Sequence, residues 1–125
     1  MTPQLLTRAD LQQDVAIDVQ ALSNLILSTQ QPDGAIPWWP GHKTDPWDHV
    51  ESAMGLTIAG AYDAARRAFE WLQKTQLPDG SWYAAYTDGQ PSDRTRETNH
   101  TAYVAVGLYH YFLRCGDLAF IQRMW

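Results

Sequence analysis

Thr29-Gln30-Gln31-Pro32-Asp33-Gly34-Ala35-Ile36 recurs 46 residues later as Thr75-Gln76-Leu77-Pro78-Asp79-Gly80-Ser81-Trp82. In each copy proline presets φ, aspartate can bond its own downstream backbone and glycine supplies a positive φ, so both octapeptides read as one kind of tight turn. Two such turns at a fixed offset mark a repeated supersecondary unit. The same offset carries Glu51 onto Glu97, Ile58 onto Val104 and Ala59 onto Ala105. A third partial copy sets Asp63 to Trp71 against Asp117 to Trp125 at an offset of 54, which predicts about eight extra residues in the second unit. The units run over about 11–61, 62–114 and 116–125. No helix stop signal follows Trp125, so the chain reads as a piece of a longer protein that breaks off inside a third unit.

The segments on either side of these turns are of two kinds. From Leu11 to Leu27 the residues Leu11, Val15, Val19, Leu22 and Ile26 keep helical spacing, with Asp14, Asp18 and Gln20 between them. Tyr62 to Thr75 does the same with Tyr62, Ala65, Phe69 and Leu72, leaving Arg66, Arg67, Glu70, Gln73 and Lys74 for water. Both predict amphipathic outer helices. Trp47 to Ala61 and Glu97 to Leu113 are apolar or small almost all round, which predicts buried inner helices whose Gly and Ala residues, Gly107 among them, let backbones approach closely. The order is outer, inner, outer, inner, outer, and the class expected is all-α.

Composition narrows the function classes. Of 125 residues 45% are hydrophobic and 18% charged, with 9 basic against 14 acidic side chains and a net charge of −5. The apolar fraction excludes a disordered tail. The acidic balance, with no run of Lys or Arg, disfavours nucleic acid. The uncharged stretch Thr98 to Leu113 is too short and too polar to span a bilayer. The first residues carry no apolar leader and Cys115 stands alone, so the expected location is the cytoplasm.

Gln76-Leu77-Pro78-Asp79-Gly80-Ser81-Trp82 resembles the Q-x-x-D-G-S-W core of the QW repeat of squalene and oxidosqualene cyclases. With alternating inner and outer helices, the chain is similar to the α/α toroids of terpenoid cyclases and protein prenyltransferase β subunits, a hairpin architecture that six-hairpin glycosidases share. The stretch Ile36 to Glu51 resembles bacterial proteins labelled prenyltransferase. The resemblance implies an (α/α)6 ring, which needs roughly 300 residues. Here it would be present as about two and a half hairpins, with the remaining hairpins of the same longer chain as its partners.

In such a ring the loops before the inner helices face one mouth of the central cavity. Loops 35–46 and 82–96 are long for helix–helix links and are where chemistry is expected. His42, Asp45, Trp47, Asp48, His49 and Glu51 crowd into the first, with Arg94, Glu97, Asn99 and His100 around the second. The acid–base candidates are Asp45, Asp48, His49, Glu51 and Glu97. A carboxylate in a first helical turn also caps free N–H groups, and equivalent glutamates in two repeats suit a scaffold role, so both readings stand. Trp38, Trp39, His42, Trp47, Arg94, Asn99, His100 and Tyr103 are the substrate-binding candidates, with the indoles as stacking platforms. Trp71 and Trp82 occupy repeat positions that suit core packing, and His110 reads as a satisfied core histidine. His42, Asp45, Asp48 and His49 match no zinc spacing, and no phosphate-cradling loop or Cys-x-x-Cys occurs, so neither metal nor cofactor is expected.

Three functions remain open. The first is a prenyltransferase or terpenoid-cyclase-like transferase that takes an isoprenoid and uses Asp45, Asp48 or His49, although Asp45-Pro46-Trp47-Asp48 only approximates the cyclase D-x-D-D. The second is a six-hairpin glycosidase-like enzyme that takes a carbohydrate and uses Glu51 or Glu97 beside Trp38, Trp39 and Trp47. The third is a toroid that binds a ligand or a protein without catalysis.

Overall fold

The computed structural model describes residues 17–124. Residues 11–16 of the expected first helix and Trp125, the repeat partner of Trp71, lie outside the described residues. Five helices follow in order: α1 (Val19–Thr29), α2 (Pro46–Ile58), α3 (Tyr62–Thr75), α4 (Thr98–Cys115) and α5 (Leu118–Met124). The chain is mostly helical but not all-α, because β1 (Ala85–Thr87) and β2 (Gln90–Asp93) form an antiparallel hairpin inside the loop expected to be irregular. Its turn residues Asp88 and Gly89 both have positive φ, 50° and 72°. This is the backbone that a two-residue hairpin loop requires and that Asp-Gly readily supplies.

α2 is the centre of the packing and lies against α3 and α4. Val50, Ala53 and Leu56 on α2 meet Phe69 and Leu72 of α3 and Val104, Leu108 and Tyr111 of α4 in one core. A Cβ on Gly107 would lie 2.4 Å from Val50 Cγ1, so the close approach expected of that glycine is present between α2 and α4. Trp71 and Trp82 are both in the core, and the Trp82 indole donates to the Leu72 carbonyl at 2.7 Å, pairing an otherwise free group near the end of α3.

Two faces depart from the expected burial. α4 is covered on one side only: Val106, Tyr109 and Leu113 are exposed on the other. Val19, Leu22 and Leu25 of α1 are exposed as well, and the one buried residue of that helix is Ser23. His110 is half-buried, and its Nδ1 has no hydrogen-bond partner among the described residues, so it is not a satisfied core histidine.

The structure also corrects the register of the repeat. Glu97 occupies the N-cap of α4 and Asp45 the N-cap of α2, 52 residues apart (97 − 45), whereas Glu51 lies a turn and a half into α2. Glu51 and Glu97 are therefore not equivalent positions. The turns keep the offset of 46, the inner helices take 52, and the six extra residues are accommodated by the hairpin.

The two turns share one internal structure and differ in surroundings. Gln30 Nε2 donates to the Gly34 carbonyl and Gln76 Nε2 to that of Gly80, at 3.2 and 3.1 Å. The first turn also grips α3: Gln30 Nε2 donates to the Ala64 carbonyl at 2.9 Å, and a Cβ on Gly34 would fall 2.2 Å from the Arg67 carbonyl oxygen. A Cβ on Gly80 would meet nothing nearer than its own Gln76 amide, 3.9 Å away. Gly80→Ala should therefore cost about 1 kcal/mol of backbone strain. Gly34→Ala adds a backbone collision and should cost at least about 3 kcal/mol. Urea midpoints of the two variants measure the difference, and equal midpoints would contradict the packing described.

Candidate functional site

The segment before α2 is fixed from beneath by His49. This imidazole is fully buried; its Nδ1 accepts the Ile36 N–H at 3.0 Å and its Nε2 lies 2.8 Å from the Ala68 carbonyl. One neutral tautomer, protonated on Nε2, satisfies both contacts. Burial pushes its pKa down to about 4, more than the Ala68 carbonyl and the charges of Asp45 and Asp33 raise it. The expectation that His49 acts as acid or base is corrected: both nitrogens are held by backbone and neither reaches solvent. Its task is to tie the loop to α2 and α3.

Asp45 is likewise occupied. Its Oδ1 accepts the Asp48 N–H at 3.0 Å as the N-cap of α2, and its Oδ2 accepts the Trp38 indole N–H. Buried at the N-cap, Asp45 spends one oxygen on the helix start and the other on the Trp38 indole. Trp38 and Trp39 nevertheless remain 46% and 53% exposed. They are held in place: Trp38 N–H donates to the Lys43 carbonyl and His42 N–H to the Trp39 carbonyl, each at 3.0 Å. The His42 ring stacks on Trp39 at 3.8 Å and on Trp38 at 5.4 Å.

Two hollows share Asp48 and Trp38 in their walls. One, of about 350 Å³, runs between Ile36, Pro37, Trp38 and Trp39 of the loop and Asp48, Glu51 and Ser52 of α2. The other, of about 240 Å³, is walled by Trp38, Trp47, Lys43, Asp45, Asp48, Ala84, Asp93, Glu97 and His100. The second is completed by the hairpin, which pairs with the loop through Thr44 N–H to the Tyr86 carbonyl and Tyr86 N–H to the Thr44 carbonyl, both 2.8 Å. Asp48 and Glu97 thus line one cavity, each free of helix-capping bonds; Glu97 sits at the N-cap but makes no side-chain cap. His100 Nε2 lies 3.6 Å from Glu97 Oε2. Partial burial and the neighbouring Asp45 and Glu51 carboxylates raise the pKa of Asp48 above the ordinary aspartate value.

Glu51 takes a different part. Trp47 and Tyr103 stack face to face, 4.0 Å apart and 9° from parallel, and both donate to Glu51 Oε1, at 2.9 and 3.3 Å. The carboxylate clamps this pair while its other oxygen stays open. Arg94 and Asn99 are exposed and line neither hollow; the Arg94 guanidinium lies 5.7 Å from the Tyr83 ring instead. Lys43 and Asp93 line the second hollow without having been singled out by the sequence. The signal for Asp93 was the Asp88-Gly89 turn, which folds β2 back beside the loop. Among the described residues no group of three or more His, Cys, Asp and Glu side chains is placed to hold a metal ion, and no helix is long and apolar enough to cross a membrane.

The depressed His49 pKa sets a pH dependence of stability. Between pH 6.5 and about 4 the unfolded chain binds a proton that the folded chain refuses, so stability is fully present above pH 6.5 and falls as pH drops through that window, by about 3 kcal/mol in all. Urea midpoints of His49→Gln should lose that slope; a variant retaining it would assign the titration to another group.

No family model matches the chain. It is 49% identical over 100 residues to a protein of Mycolicibacterium hassiacum named MMP endo-(1,4)-3-O-methyl-alpha-D-mannosidase, a match that takes in 80% of this chain and 28% of that protein. The chain spans less than a third of the length of this relative.

Proposed function

We propose that this chain carries part of a glycoside-cleaving site in which Asp48 is the proton donor and Glu97 the companion carboxylate. The substrate class is an α-linked mannoside chain bearing O-methyl groups, as in the activity for which the relative is named. The observation that carries the reading is the cavity shared by Asp48 and Glu97, two carboxylates spared from capping, beside held but exposed indoles. Glycoside cleavage uses two carboxyl groups flanking the scissile bond, one protonated and one ionised. The raised pKa of Asp48 suits the protonated partner, which donates to the glycosidic oxygen as the sugar leaves. Glu97, beside His100, then takes a proton from the incoming water or meets the anomeric carbon itself. Trp38, Trp39 and the Trp47–Tyr103 pair offer flat faces on which sugar rings stack.

The activity for which the relative is named supports this carbohydrate alternative and gives no support to isoprenoid transfer. We extend the reading to the architecture: the alternating helices are hairpins of an α/α toroid, and the exposed sides of α1 and α4 are the seats of neighbouring hairpins. The repeated turn and the inner and outer alternation support that extension.

Asp48→Asn and Glu97→Gln should each lower the hydrolysis of α-(1→4)-linked 3-O-methylmannose oligosaccharides by about 10²–10⁴-fold while leaving the far-ultraviolet circular dichroism unchanged. Near-normal rates in both would sink the assignment, and binding without turnover by the unaltered protein would favour a non-catalytic module. Asp45→Asn removes a charge that raises the Asp48 pKa, so that pKa falls and the alkaline limb of the rate profile moves to lower pH. A limb that stays in place would show that Asp48 is not the acid.

A further inference from the structure

We propose that Glu51 is the residue that reads the sugar: its free carboxylate oxygen accepts a hydrogen bond from a hydroxyl on carbon 2 or carbon 6 of a ring laid on Trp39. This rests on the glycoside-cleaving reading above and adds to it the group that selects the ring held beside Asp48.

Glu51 borders the hollow that also holds Trp39 and Asp48. One of its oxygens is taken: Oε1 accepts the Trp47 indole N–H at 2.9 Å and the Tyr103 hydroxyl at 3.3 Å. The donors come from α2 and α4 and their rings stack 4.0 Å apart, so the carboxylate is aimed by contacts that no ligand has to form. Glu51 is exposed, and its Oε2 takes no hydrogen bond among the described residues. A carboxylate oxygen accepts and cannot donate, so its partner has to be a donor. On a neutral sugar the donors are hydroxyls.

Trp39 supplies a flat wall of the same hollow. It is 53% exposed, and the His42 ring stacked on it at 3.8 Å backs the indole. Trp38 is more occupied, since its N–H is spent on Asp45 and Lys43 Nζ lies 4.2 Å from its ring centroid. A pyranose has apolar C–H faces and hydroxyls around its edge. Laid on Trp39, it presents that edge to the polar groups of the hollow, among which Glu51 is the acceptor already held in place.

The chemistry of the sugar narrows the choice of hydroxyl. Within a chain of (1→4)-linked 3-O-methylmannose, the class for which the relative is named, oxygens 1 and 4 are in linkages and oxygen 3 carries a methyl group. Donors remain on carbons 2 and 6. A methyl ether accepts but does not donate, so Glu51 does not read position 3.

Three oligosaccharides of (1→4)-linked 3-O-methyl-α-mannose test this, one intact, one 2-deoxy throughout and one 6-deoxy throughout. kcat/KM is measured for the native protein and for Glu51→Gln, which keeps an oxygen for Trp47 and Tyr103 and puts a donating amide in place of the free oxygen. The ratio of native to variant cancels the intrinsic reactivity of each sugar. It should be about 10–100-fold on the intact chain and fall close to one on at least one deoxy chain, which names the hydroxyl. A ratio that is the same on all three chains, large or small, overturns the proposal while leaving glycoside cleavage standing. If none is cut, the glycoside reading fails, and dissociation constants from indole fluorescence with the same sugars decide the role of Glu51: a native-to-variant difference lost on a deoxy chain upholds the acceptor, and an equal difference on all three overturns it.

Discussion

The neutral imidazole of His49 is the constraint on which the rest depends. Three segments meet at one ring: Ile36 from the loop, α2 through the residue itself, and α3 through the Ala68 carbonyl. The loop N–H and the helix carbonyl would each be costly to bury alone, and one side chain with a donor and an acceptor on opposite edges satisfies both. Because Ile36 is fixed, Pro37, Trp38 and Trp39 leave the core at a fixed place and direction. The open indole surface above the site therefore depends on a buried polar contact beneath it. A charged imidazole would present a hydrogen to the Ile36 N–H, so the arrangement holds only for the uncharged form.

Asp45 repeats this economy one step nearer the surface. A single buried carboxylate caps α2, orients Trp38 and places negative charge beside Asp48. Helix start and aromatic wall are thereby tied to one carboxylate that lies beside Asp48. The corresponding position of the second unit is Glu97, one methylene longer, and its carboxylate is not spent on a cap. The two units differ here: the N-cap carboxylate of the first is bonded to the start of its helix and to Trp38, and that of the second lines the cavity with Asp48.

Much of this was legible in the residues, and where it was not the physical reason can be named. The repeated Pro-Asp-Gly turns act locally, through φ preferences and an aspartate bonding two residues onward, so their structure follows from the octapeptides. The Tyr62–Thr75 helix was equally legible, because its apolar stripe and its charges alternate at helical spacing without a competing signal. The hairpin escaped notice because three- and four-residue strands carry too little alternation to stand out, although Asp88-Gly89 marked the turn. The false equivalence of Glu51 and Glu97 followed from that omission, since an insertion between two repeat landmarks shifts the register of everything beyond it. The acidic cluster could be found but not sorted: Asp45, Asp48, Glu51 and Glu97 are alike as residues, and only their partners tell a cap, an aromatic clamp and two cavity-lining carboxylates apart.

By itself the sequence determined the helical character, the alternation of greasy and wetter helices, the repeated turn and the gathering of aromatic and acidic residues ahead of α2, because each rests on neighbours within a few positions along the chain. Only the tertiary structure decided that His49 and Asp45 are holding residues and that Asp48 and Glu97 share a hollow. It also decided which faces of α1 and α4 stay uncovered. Those facts depend on which distant backbone and side-chain groups come within bonding distance, and no local pattern of residues records that.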